Sequence, residues 1–208
     1  MKDLDTNIFN LAPPAHGSIP VAVLISDDLN VIDFSGPWGV FESVLMPGAS
    51  EPAFRLWTVS EKAELVLSDS GLRLVPHYTY GNVPEIKVVV IPAQKGSDAM
   101  IAWLRKVSTT ADVIMSVCTG AFHLAKAGLL SGKAATTHHQ FLDRPEKEYP
   151  DIKVQRGVRF VEGEQISTAG GLTSGTDLAL RVVERYFGRE IAQNTATYME
   201  YQGKGWIV

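Results

Sequence analysis

Apolar and polar positions alternate along this chain in blocks, and the period changes from block to block. "VAVLIS" (21–26) is a short apolar run closed by "DDLN", which predicts a strand buried on both faces. "IDFSGPWGVFESVLMPG" follows and predicts a helix. Ser35 reads as its cap, Pro37 sits in the first turn, and Pro47 with Gly48 stops it. "AFRLWTVS" (53–60) alternates like a strand, and two short β-like pieces around Ser-Asp-Ser-Gly (68–71) read as a hairpin. "IKVVVIPA" (86–93) is the most β-branched run and predicts a central strand. "SDAMIAWLRKVS" predicts a helix opened by Ser97, "ADVIMSV" a buried strand, and "TGAFHLAKAGLL" a helix ending near Gly128.

The remainder repeats the alternation. "AATTH" and "IKVQ" read as strands around a short broken helix, "HQFLDRPEKEY". "VRFVEGEQISTAG" reads as a hairpin turned at Glu162 and Gly163. "SGTDLALRVVERYFG" is amphipathic, and "REIAQNTATYMEY" follows as a second helix. Strands alternating with helices predict an α/β domain, a mostly parallel sheet with helices on both faces. Residues 1–19 read as an N-terminal arm docked through Ile8, Phe9 and Leu11, and 20–208 as one domain.

Composition narrows the function classes. A chain of 208 residues, 45% hydrophobic and 20% charged, buries a core without disulfides. One cysteine allows no internal disulfide and fits a reducing, cytoplasmic setting. A net charge of −4 with no basic run argues against nucleic acid, and the apolar runs are too short to cross a bilayer. Neither a signal peptide nor zinc-ligand spacing is present, so no membrane, metal or cofactor is expected.

That cysteine, Cys118, falls where "DVIMSV" ends and "TGAFHLAKAG" begins. Active sites of open α/β sheets lie beyond the carboxyl ends of the strands. A thiol there meets the N–H groups of the next helix, which favour thiolate, and Gly120 allows a sharp turn. A lone cysteine in an apolar strand also serves as a small buried hydrophobe. Asp33, flanked by Val31, Ile32 and Phe34, is either an acid of raised proton affinity or a turn residue. His138, beside His139, is either a base or a surface polar residue. Thr119 either bonds a thiolate or caps the helix. "TAGGLTSGTD" is glycine-rich but is not a dinucleotide fingerprint.

"CTGAFHLAKAGLLSGKAATTHH" resembles the nucleophile region of the ThiJ/PfpI superfamily. The matching pattern is Cys-Thr-Gly, then Ala-Gly-Leu-Leu-x-Gly-Lys-x-Ala-Thr-Thr-His, from Cys118 to His138. "VIDFSGPWGVFE" (31–42) resembles the loop carrying that family's acidic residue. "RFVEGEQISTAGGLTSGTDLALRVVERYFGREIAQ" resembles its C-terminal hairpin and helices, so the likeness covers residues 20–202. Within the superfamily the resemblance is to isonitrile hydratases and to the amidotransferase-like domains of AraC-type regulators.

The resemblance implies a flavodoxin-like three-layer sandwich related to class I glutamine amidotransferase domains. It implies Cys118 as nucleophile, Asp33 as the acid beside it, and Thr119 as a hydroxyl bonded to thiolate or substrate. His138 takes the family's histidine position, which is not always catalytic in the hydratase-like branch. The branch of intracellular proteases carries His after the Cys, so Thr119 argues against peptidase activity. Where the family has Pro-Gly-Gly, this chain has Pro92, Ala93 and Gln94. Ala93, Gln94 and Gly120 are then the oxyanion and substrate-binding candidates, and a need for positive φ would strain Ala93 and Gln94. The implied function is a cysteine-dependent lyase hydrating a small isonitrile. The alternatives are a ligand or redox sensor without turnover, a deglycase or glyoxalase-like enzyme, and a folded scaffold with an inert thiol. The superfamily also implies a homodimer, with the apolar "GPWGVFESVL" contributing to the interface.

Overall fold

The computed structural model describes residues 9–208. In chain order the elements are β1 (Ile19–Leu24), α1 (Val31–Glu42), β2 (Phe54–Ser60), β3 (Val66–Leu67), β4 (Arg73–Leu74), β5 (Tyr78–Thr79) and β6 (Val88–Ile91). There follow α2 (Asp98–Val107), β7 (Val113–Val117), α3 (Ala121–Lys126), β8 (Ala134–Ala135), α4 (Asp143–Glu148), β9 (Lys153–Val154), β10 (Phe160–Val161), β11 (Ile166–Ala169) and α5 (Ser174–Tyr198).

Seven strands form one sheet in the order β10-β11-β7-β6-β1-β2-β5. Every pairing is parallel except β10 with β11. β3–β4 is the expected hairpin, and β8–β9 is a separate parallel pair. Side chains alternate across the sheet. Val88 and Val90 of β6 enter the core under α1 and α5, while Val89 and Ile91 enter the core under α2 and α3. Each such fully buried aliphatic contributes about 1.5–3 kcal/mol. The result is the flavodoxin-like three-layer sandwich that the alternation predicts.

α1 departs from the expected start. It begins at Val31, with Asn30 in the extended cap position, and Pro37 lies inside the helix rather than in its first turn. No side chain caps it; the Asn30 N–H is tied to Ala93 O at 2.9 Å. A tertiary tether therefore sets the start. Asp33, Pro37, Val40 and Phe41 share the buried face, so the carboxyl is carried inward with the apolar stripe.

α2 is capped as expected, with Ser97 Oγ accepting the Met100 N–H at 3.1 Å. The two C-terminal helices run end to end as α5, broken at Gly188 by its φ of 83°. Of the expected arm contacts, Ile8 lies outside the described residues. The Leu11 N–H donates to Arg185 O, and Arg185 Nε donates to Phe9 O, both at 2.8 Å. Among the described residues no helix is long and apolar enough to cross a membrane.

Candidate functional site

The central strands deliver their carboxyl ends to one edge of the sheet. Cys118 immediately follows β7 in the left-handed conformation, with φ of 57°. A side chain held there costs on the order of 1–3 kcal/mol and persists because its surroundings fix it. Its N–H donates to Gly170 O at 2.8 Å, and Thr137 Oγ1 donates to its carbonyl at 2.7 Å. The bend thus lies at the cysteine itself. Gly120 has ordinary helical angles and is required for another reason: a Cβ there would stand 2.0 Å from Ile91 O. This is a correction to the expectation that Gly120 supplies the turn.

Asp33 reaches the same point from the first turn of α1 and is wholly buried. Its Oδ2 accepts the Ala93 N–H at 3.2 Å, while Oδ1 has no well-formed hydrogen bond. Burial pushes its carboxyl up to about 6; the Ala93 N–H, the Cys118 thiol and the Leu172 N–H pull it partly back. Cys118, 8% exposed, is pushed up to about 12 by burial and then by the Asp33 charge, against the pull of the Thr119 N–H and hydroxyl. The expectation of a resting thiolate is therefore overturned. The helix after Cys118 is a 3-10 turn and six α residues, too short to offset a buried carboxylate. As a unit the pair holds one proton between about pH 6 and pH 12.

The other candidates divide. Thr119 is half-buried and bonds the thiol as expected. Ala93 and Gln94 occupy the loop after β6 without strain, because positive φ outside glycine occurs among the described residues only at Asp28, Cys118, Leu172 and Glu200. The Ala93 N–H is already given to Asp33, so it orients the acid rather than standing free for an oxyanion. The Gln94 side chain pairs with Ser26 Oγ at 3.0 Å, and its Nε2 is buried without a partner. His138 stacks on His139, with ring centres 4.3 Å apart, and packs over Gly171. Its neighbour Thr137 is the residue bonded to Cys118. Burial lowers the proton affinity of His138, keeping it neutral near pH 7.

Two clefts flank the thiol. One, of about 350 Å³, runs between Thr137, His138, Val158, Arg159, Gly171 and Leu172. The other, of about 270 Å³, lies between Gln94, Ile101, Thr119, Phe122 and His123. Leu172 is 42% exposed, with a left-handed φ of 53°, and roofs the Asp33 carboxyl with its N–H. Leu172, Thr137 and Ser26 escape sequence reasoning, since each acts through geometry that leaves no motif. Asp177, fully buried nearby, receives Arg159 Nε at 2.6 Å and the Tyr201 hydroxyl at 3.0 Å. Among the described residues no group of three or more His, Cys, Asp or Glu is arranged to hold a metal ion.

A parallel sheet presenting a strained, acid-paired cysteine beyond a strand end has counterparts among known proteins. An isonitrile hydratase from Pseudomonas putida is 29% identical over 191 residues, covering 88% of this chain and 79% of the relative. An HTH-type transcriptional regulator from Pseudomonas aeruginosa, CdhR, is 33% identical over 101 residues, about half of this chain and 30% of the regulator. The crystal structure of a ThiJ/PfpI family protein from Pseudomonas syringae superposes with a TM-score of 0.77 at 27% identity, over 98% of this chain and 82% of that one. The profile of the DJ-1/PfpI family matches residues 20–185, and the chain belongs to that family.

Proposed function

We propose that this chain is a cysteine-dependent lyase that hydrates a small isonitrile. One observation carries the reading: the buried Asp33 carboxyl faces the Cys118 thiol, and the two share a single proton at neutral pH. The ionised Asp33 takes the thiol proton as sulfur attacks, so nucleophile and acid are created together. The S–C bond forms at the terminal isonitrile carbon, and Asp33 returns the proton to that carbon, giving a thioimidate. Water then adds to the carbon and its proton moves to nitrogen. The C–S bond breaks, the hydroxyl proton returns to sulfur, and an N-substituted formamide leaves. One isonitrile and one water are consumed per formamide, with no oxidant or cofactor required. Thr119 holds the sulfur throughout, and the apolar rim of Val158 and Leu172 suits a hydrocarbon substituent.

The test is formamide production from an aryl isonitrile, followed by mass spectrometry. The native chain is expected to produce it, and Cys118→Ala to lose at least about 1000-fold in kcat/KM. Full turnover by that variant ends the mechanism, and turnover of methylglyoxal instead of isonitrile supports the deglycase-like alternative.

A second reading, a ligand sensor without turnover, draws on the regulator similarity and on the near-complete burial of the thiol. It predicts binding of small electrophiles without product release. Under either reading we take the chain to act as a homodimer in a reducing compartment, which light scattering at micromolar concentration checks. α1 turns Pro37, Val40 and Phe41 inward, so an interface there would use Phe34, Trp38 and Leu45.

A further inference from the structure

The loop after β6 holds Gln94 from two sides. The buried His123 ring, kept neutral by desolvation, meets the Gln94 carbonyl through Nε2 at 3.1 Å. Ser26, just beyond β1, meets the side-chain amide. Its Oγ lies 2.5 Å from Lys95 O and 3.0 Å from Gln94 Oε1. A hydroxyl has one proton to give, and Lys95 O, a carbonyl with none of its own, takes it through the shorter contact. Two bare oxygens then face each other across 3.0 Å, while the NH2 of the same amide is buried with no partner. A half-turn of the amide removes both faults. Nε2 donates to Ser26 Oγ, Ser26 donates to Lys95 O, and the carbonyl oxygen takes the unpaired position.

We propose that Gln94, oriented by Ser26, presents its side-chain carbonyl as a hydrogen-bond acceptor to the cleft it shares with Thr119, so that the site selects electrophiles bearing an N–H or O–H donor beside the reacting carbon. The proposal rests on Cys118 as the attacking group. It also gives Gln94 a part in hydration: the isonitrile nitrogen has no hydrogen and the formamide nitrogen has one, so the acceptor favours the species formed as water adds. With the amide the other way round, Gln94 would be a donor and the preference would reverse.

Two measurements test this. In protein carrying 15N-labelled glutamine, Ser26→Ala is expected to move a Gln94 Nε2 proton resonance to that of a free amide. An unmoved resonance overturns the orientation, whatever Cys118 does. Next, Cys118 is alkylated with iodoacetamide and with its N,N-dimethyl form, which lacks the donor. Gln94→Leu, similar in size and without polar atoms, is expected to slow iodoacetamide about three- to tenfold while changing the dimethyl reagent less than about twofold. Gln94→Glu, which keeps an acceptor, is expected to retain the preference even where both rates fall. Equal effects on the two reagents overturn the proposal. Absence of formamide from any isonitrile, with both tests passed, would remove the hydration reading and leave Gln94 as the acceptor of another electrophile's donor.

Discussion

Asp33 and Asp177 begin from the same position in the architecture. Each sits in the first turn of a long helix, each is wholly buried, and both helices pack on the same face of the sheet. Asp177 is surrounded by donors, with the Arg159 guanidinium on one oxygen and the Tyr201 hydroxyl on the other. Asp33 receives one firm N–H, from Ala93, has no cation beside it, and faces a thiol. A buried carboxylate is costly unless paired. The chain meets that requirement at Asp177 and withholds it at Asp33. What this teaches is that Asp177 fastens the β10 end of the sheet to α5, whereas Asp33 is kept poorly solvated so that its proton moves when chemistry calls for it.

Four measurements break or sharpen the contrast. Asp33→Asn removes the proton carrier, and kcat/KM is expected to fall about 100- to 10,000-fold in an isonitrile assay. The same variant should be more stable than the native chain at neutral pH. The Asp33 carboxyl is at about 6 when folded against an ordinary 3.8, so the folded state binds this proton more tightly. Stability from this group is complete below the ordinary value and is lost as pH rises through about 6, a cost of up to about 3 kcal/mol. Denaturant unfolding across that range should show the native chain weakening relative to Asp33→Asn, and parallel curves would place the carboxyl in a solvated site.

Asp177→Asn should act in the opposite sense, lowering stability by about 1–3 kcal/mol because it leaves Arg159 partly buried without its counter-charge. The 43% exposure of the Arg159 side chain keeps that cost below what a dry pair would show. An increase in stability would erase the distinction between the two acids. Rate against pH gives a finer reading: activity should drop as pH falls through about 6, where the pair gains its second proton and the base disappears. Smallest is Tyr201→Phe, which removes one hydroxyl donor from Asp177 and should cost about 1 kcal/mol of stability with turnover nearly unchanged.

The sheet was legible because each buried strand is a compact apolar run and each crossover carries a helical period. Cys118 was legible because its position after such a run is itself informative. The start of α1 was not, since Asn30 owes its place to Ala93, a residue far along the chain. The proton affinity of the thiol was misjudged for the same reason. Local sequence offers a helix terminus, but the decisive charge arrives from Asp33 on another element. Leu172 was invisible because a left-handed backbone at a leucine has no compositional mark beyond the glycines before it.

The contact between Gly120 and Ile91 O has a bearing on redesign. With no room for even a methyl group, the loop carrying Cys118 and the loop carrying Ala93 act as two halves of a keyed joint, locked to the register of β6 and β7. An engineer seeking a new substrate gains nothing by altering that joint, because any side chain there forces the base and the nucleophile apart. The adjustable parts are at the rim: His138, Val158, Leu172 and Gln94 border open clefts and can change size or polarity while the reacting pair stays in place.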